Sequence, residues 1–138
     1  MNDDNIIPII GDLNIRENLK RLGEMVDSLE MDCYILDSTR KARKVKMSEQ
    51  VLWLMTGPRT QVDCDFINGA HVSTIFLGID LSFLSILHPD AAPQIFETMI
   101  FGGEHHGHQT RCSTWEQAEK MHADAVALVK RGHLRIVK

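Results

Sequence analysis

Glu104-His105-His106-Gly107-His108 concentrates imidazoles in five residues. In an extended strand His106 and His108 share a face with Glu104. Imidazoles two residues apart bind zinc or nickel. A closed zinc site takes about four ligands, and Cys112 is the nearest further donor in sequence. Two readings follow: a polar, solvent-facing strand, or a zinc site at His106 and His108 serving a metal-dependent hydrolase.

A second constellation is Asp80, Glu97 and His122, with Arg111 as the nearby cation. Glu97 interrupts an apolar run, so it faces solvent or is buried with a partner. His122 falls on the apolar stripe of a helix. A carboxylate paired with an imidazole does general acid–base work or positions a polar ligand. No nucleophile or phosphate loop accompanies the pair, so it reads equally as a core pair fastening helix to sheet. Ser73 and Thr74 read as ladder residues, because Gly-x-Ser-x-Gly is absent. Gly102-Gly103 lacks the Lys-Ser/Thr of a phosphate loop.

A third group is Trp53 with the basic run Arg40-Lys41-Ala42-Arg43-Lys44-Val45-Lys46 and Arg59. An indole beside Arg40, Arg43 and Arg59 would stack on a base while the guanidiniums hold phosphate. The other readings are a core anchor for Trp53 and a solvated hairpin tip for the run.

Elements must position these groups. The chain has 138 residues, 43% apolar and 25% charged, which suits a folded domain. Its 15 basic and 19 acidic residues give a net charge of −4, which argues against generic nucleic-acid binding. Three scattered cysteines make no disulfide framework and no Cys₄ zinc site. The acidic start, Met1-Asn2-Asp3-Asp4, is not a secretory signal, and no apolar run nears the roughly 20 residues of a membrane span. A reducing cytoplasm is the expected setting.

Residues 1–31 read as an N-terminal amphipathic helix and 32–138 as an α+β domain. Pro8 argues against helix in Ile6–Ile10. Asn14 is the expected cap of a helix reaching about Glu30. Ile15, Leu19, Leu22, Val26 and Leu29 step by 4, 3, 4 and 3, a narrow heptad seam. The seam packs on its own domain or on a second copy. Asp32–Asp37 and Ala42–Met47 read as two strands. Ser48 is the expected cap of a short helix with Val51, Leu52, Leu54 and Met55 inward, stopped by Gly57-Pro58.

Gln61–Ile67 alternates Val62, Cys64 and Phe66 against Asp63 and Asp65, and Asn68-Gly69 marks a hairpin into Val72–Ile79. Asp80–Pro93 is a long connection with Leu81, Phe83, Leu84, Ile86 and Leu87. Gln94–Phe101 and Glu104–Cys112 complete the strands. Ser113-x-x-Glu116 reads as a capping box. The helix it opens carries the stripe Trp115, Ala118, His122, Ala125 and Val129 and stops at Gly132. Leu134–Val137 would add a strand or an interface segment. The expected fold is α+β: an antiparallel β-meander of about four to six strands packed against a C-terminal helix, preceded by an N-terminal amphipathic helix.

Three segments resemble a pattern found in small, mostly uncharacterised proteins encoded by phages and prophages. They are Val72-Ser73-Thr74-Ile75-Phe76-Leu77-Gly78-Ile79-Asp80, Phe96-Glu97-Thr98-Met99-Ile100-Phe101-Gly102, and Ser113-Thr114-Trp115-Glu116-Gln117-Ala118 with His122. Tyr34-Ile35-Leu36-Asp37 is similar to that family's opening strand. The likeness covers roughly residues 34–130. After Asp80, where the family usually has a residue like histidine, this chain has Leu81. The resemblance implies a phage accessory protein acting inside a bacterial host, and implies no reaction. The expected function is a non-catalytic, homo-oligomeric binder that blocks a host defence protein or sequesters a small signalling nucleotide. Neither membrane nor nucleic acid is an expected partner. No cofactor is expected unless the histidine cluster takes zinc.

Overall fold

A computed structural model describes residues 12–28, 31–81, 88 and 90–137, with side chains at the same positions except 12–14, 26 and 132–137. The order is α1 (Asp12–Asp27), β1 (Cys33–Leu36), β2 (Ala42–Val45), α2 (Met47–Met55), β3 (Gln61–Ile67), β4 (Ala70–Phe76), β5 (Phe96–Phe101), β6 (Gln109–Cys112) and α3 (Trp115–Val137). The fold is α+β. Strands β3-β4-β5-β6 form one antiparallel meander, and β1-β2 a separate hairpin. Among the described residues, no helix is long and apolar enough to cross a membrane. Ile6–Ile10 and Phe83–Leu87 lie outside the described residues.

Asn68 (φ 51°) and Gly69 (φ 78°) turn β3 into β4, as two-residue hairpins with both central residues left-handed do. Helix α3 contacts all four strands of the meander. The expected stripe on α3 is its buried face: Trp115, Ala118, His122, Ala125 and Val129 are all buried. Its levels match the paired rungs of β4 and β5. Phe76↔Phe96 lies under Trp115 and Ala118 in one apolar cluster; Val72↔Ile100 lies under Ala125 and Val129 in a second. Between them Thr74↔Thr98 meets His122. The two alanines let the helix approach closely.

A bulge in β3 sets Gln61 and Asp63 against successive residues of β4, leaving Val62 extra. Val62 therefore joins the core cluster of Phe76 and Trp115, while Phe66 is 79% exposed. The simple alternation of Val62, Cys64 and Phe66 on one apolar face does not hold, because bulged strands reset the face of the residues before them.

The β1-β2 hairpin joins the meander at one junction. Tyr34 N donates to Gly78 O (2.8 Å), and Cys33 bridges Ile79. Buried Gln50 of α2 donates through Nε2 to both Tyr34 O (2.9 Å) and Gly78 O (2.7 Å). Trp53, one turn on, meets Phe76 edge-on at 5.9 Å between centroids. These anchors fix the rotation of α2. Val51, Leu52, Leu54 and Met55 consequently point outward, against expectation, with Met55 78% exposed.

Helix ends also differ from the sequence reading. Helix α1 begins before Asn14 and stops at Asp27. Helix α2 is entered from Lys46, and Ser48 instead binds Asp27 of α1 through its amide (3.0 Å) and hydroxyl (2.9 Å). These donors hold the Asp27 carboxyl below the usual aspartate range. The cap of α3 is one residue later than expected. Gln117 N donates to Thr114 Oγ1 (3.1 Å), and Gln117 Oε1 accepts from the Ser113 and Thr114 amides. Helix α3 runs through Gly132, the expected stop, to Val137, so Leu134–Val137 is helix and not a strand.

Gly78 has φ 75°, and a Cβ there would lie 2.5 Å from Gln50 Nε2. Gly57 has φ 72° with nothing within 4 Å of a Cβ. Gly78→Ala should therefore cost about 3 kcal/mol in urea unfolding and Gly57→Ala about 1 kcal/mol. Equal costs would show that Gln50 does not pin the junction.

Candidate functional site

Three regions hold chemistry-bearing side chains. The first is a polar rung across the meander. Asp63, Thr74, Thr98 and Thr110 pair in register on β3, β4, β5 and β6, on the face under α3. Thr98 Oγ1 lies 2.5 Å from Thr74 Oγ1, and Thr74 Oγ1 lies 2.7 Å from His122 Nδ1. His122 Nε2 lies 2.7 Å from Asp65 Oδ2 and 3.7 Å from Asp63 Oδ2. His122 is 2% exposed, and Thr74 and Thr98 are fully buried. The hydroxyl–imidazole–carboxylate order is that of a nucleophilic triad, but Thr74 is sealed beneath α3, where no substrate reaches it. The network therefore fastens helix to sheet, and its outer end, at Asp63 and Asp65, meets solvent.

The second region is on the opposite face. Alternate residues of β5 point to opposite sides, so Glu97 and His122 cannot meet. Glu97 is buried by its β6 neighbours instead: Arg111 Nε donates to its Oε2 (3.0 Å), as does Gln109 Nε2. The pairing of Asp80, Glu97 and His122 is thus corrected. Asp80 lies in the junction segment, its amide donating to Asp32 O (3.4 Å). On this face Cys64 Sγ also lies 3.0 Å from His71 Nε2.

The third region is a cleft of about 390 Å³ between the hairpin loop and the first turn of α3. Trp53, Trp115, Arg40, Arg59 and Asp37 line it, with Leu36, Ser38 and Pro58. The Arg40 guanidinium lies 4.6 Å from the Trp115 ring centroid and that of Arg59 5.6 Å. Cation–π attraction holds both over one indole. Arg59 is further fixed by donating to Gln61 O (3.0 Å) and Val62 O (3.2 Å). Arg40 occupies left-handed backbone (φ 65°), a conformation costing a non-glycine residue about 1 kcal/mol. Asp37 Oδ1 organises that loop by accepting from Thr39 N, Thr39 Oγ1 and Lys41 N. The Thr39 hydroxyl, then the Lys41 amide, hold its carboxyl below the usual range.

Several cations outside the cleft are already paired. Arg43 pairs with Glu49 (3.1 Å), Lys44 with Asp32 (3.0 Å) and Arg111 with Glu97 (3.0 Å). Among the described residues, Arg40 and Arg59 have no carboxylate within 4.0 Å. Of the expected grouping, Trp53, Arg40 and Arg59 are brought together in the cleft, but Arg43 is not among its lining residues: it pairs with Glu49 from β2. A larger groove of about 550 Å³ contains Asp27, Asp32, Lys44 and Glu49, engaged with Ser48, with each other, or with Arg43, and also Lys46, with no aromatic ring among the described residues that line it.

The histidine cluster is not extended. Glu104–Gly107 forms a turn, and β6 begins only at Gln109. His106 Nδ1 accepts the Gly102 amide (2.7 Å), and His105 Nε2 lies 4.0 Å from Glu104 Oε2. The shared face of Glu104, His106 and His108 is therefore corrected. The metal-compatible grouping among the described residues is Asp63, Asp65 and His122. Its signal was present in sequence as two aspartates spaced to share a strand face, together with the stripe histidine. Burial raises the Cys33 and Cys112 thiols, as suits buried cysteines, which behave as small apolar residues.

No family model, curated protein or solved structure matches the chain.

Among the described residues, buried Thr110 Oγ1 has no hydrogen-bond partner, whereas Thr74 Oγ1 serves two. Thr74→Val should destabilise by about 2 kcal/mol and Thr110→Val should be neutral or stabilising, measured by urea unfolding. The reverse order would contradict the network.

Proposed function

We propose that this protein is a non-catalytic binder that captures a small phosphorylated ligand of the nucleotide class in the Trp53–Trp115 cleft. One observation carries the reading: two guanidiniums, without carboxylate partners among the described residues, converge over one indole in a chain of net charge −4. Guanidiniums grip phosphate through paired N–H donors, and indoles and guanidinium planes stack on bases. The cleft falls within the roughly 300–1,000 Å³ of small-molecule sites. Ionised Asp37 at the rim would turn the phosphate toward Arg40 and Arg59.

On the resemblance to phage and prophage proteins, such capture would take place in a bacterial cytoplasm, where sequestering a signalling nucleotide would blunt a host defence. A second copy is the proposed further partner. Ile15, Leu19 and Leu22 of the α1 seam are 40%, 62% and 50% exposed, and α2 adds Leu52 and Met55. Apolar residues at heptad spacing suit a matching helix. The alternative reading, a metal-dependent hydrolase at His106 and His108, has less support, since His106 Nδ1 is engaged by Gly102.

Calorimetry against linear and cyclic purine nucleotides tests the cleft. At least one should bind with micromolar Kd, and Arg40→Ala and Arg59→Ala should each weaken it at least tenfold, about 1.4 kcal/mol. Arg111→Ala should leave it unchanged. Equal affinity across all three variants would refute the assignment. Light scattering should give more than one chain per particle; a strict monomer removes the second-copy proposal.

A further inference from the structure

We propose that Asp63, Asp65 and His122 bind a divalent transition-metal ion of the zinc class, at a site separate from the arginine–tryptophan cleft. The three side chains offer one imidazole nitrogen and two carboxylates, with ligand atoms all within 4.8 Å of one another. This is a borderline donor set that zinc accepts with water completing the shell.

The site is built from behind. Metal-binding histidines are held by a hydrogen bond at the other ring nitrogen. His122 has that support: Thr74 Oγ1 at Nδ1 (2.7 Å), itself backed by Thr98 Oγ1 (2.5 Å). Without an ion, Nε2–H donates to Asp65; metal binding would replace that proton, with Nδ1–H then donated to Thr74. The Nε2 lone pair and two carboxylates would then share one positive charge. Among the described residues, no Lys or Arg pairs with Asp63 or Asp65, so these residues supply no such charge apart from a proton on His122.

The front is open. The side chains of Asp63 and Asp65 are 58% and 47% exposed, whereas that of His122 is 3% exposed. Both aspartates lie on β3, an edge strand of the meander. Ligand atoms around a tetrahedral zinc stand about 3.3 Å apart, from bond lengths of about 2.0–2.1 Å. The 2.7 Å contact to Asp65 must therefore widen and the 3.7 Å contact to Asp63 shorten. Exposed carboxylates do this by small side-chain rotations, with the imidazole held still.

Calorimetry with zinc chloride alone, on the full chain without a histidine tag, tests the site. The expected result is one zinc per chain, weakened at least tenfold in Asp65→Asn and in Asp63→Asn. Asparagine keeps an acceptor for His122, so both variants should fold, as circular dichroism would check. His106→Ala/His108→Ala should bind as the parent does. Absence of binding overturns the proposal, as does unchanged affinity in both asparagine variants. Loss of binding confined to the His106/His108 variant would put the ion in the turn and overturn it equally. None of these results depends on nucleotide binding.

Discussion

Helix α3 rests on the meander as three matched rungs, and the remaining structure is organised around that contact. The outer rungs are apolar, Phe76 with Phe96 and Val72 with Ile100. The middle rung is polar and meets a histidine. Apolar burial holds the helix down without choosing its register. The Thr98–Thr74–His122–Asp65 chain chooses it, because a slip by one helical position would leave buried hydroxyls and an imidazole unpaired. A fixed register puts Trp115, seven residues before His122, at the mouth of the hairpin cleft. There it becomes the platform for Arg40 and Arg59.

The hairpin supplies the other wall through a different device. Gln50 bonds two carbonyls at the junction, and Gly78 leaves the room it needs. Trp53 then reaches Phe76, and the loop shaped by Asp37 brings Arg40 over Trp115. The cleft is thus made where two sheets meet, a common place for ligand sites. The same anchoring turns the apolar residues of α2 toward solvent, and Ile15, Leu19 and Leu22 of α1 are exposed as well.

Much of this was legible in the chain. The Asn68-Gly69 hairpin, the strand order and the five-residue stripe of α3 follow from local signals: turn chemistry, β-branched runs and helical spacing. The site was legible only in part. Trp53, Arg40, Arg43 and Arg59 could be grouped by type, but that Arg43 would leave the group for Glu49 depended on the three-dimensional placement of α2. His122 could be marked as an inward polar residue, yet its partner lies 57 positions away on β3. Nothing local distinguishes Asp65 from Glu97 as that partner. Strand alternation across the hydrogen-bonded register decides it. The bulge at Val62 and the turn at Glu104–Gly107 were missed because each replaces an expected alternation with backbone geometry.

The chain has two tryptophans, and both line the cleft. Their emission reports directly on it, with no label. Titrating the full-length protein with purine nucleotides while reading tryptophan fluorescence is therefore the most direct measure of the central claim. The account predicts a saturable change in emission that is lost when Arg40 and Arg59 are both replaced by alanine. Emission unmoved by every nucleotide up to millimolar concentration would contradict it.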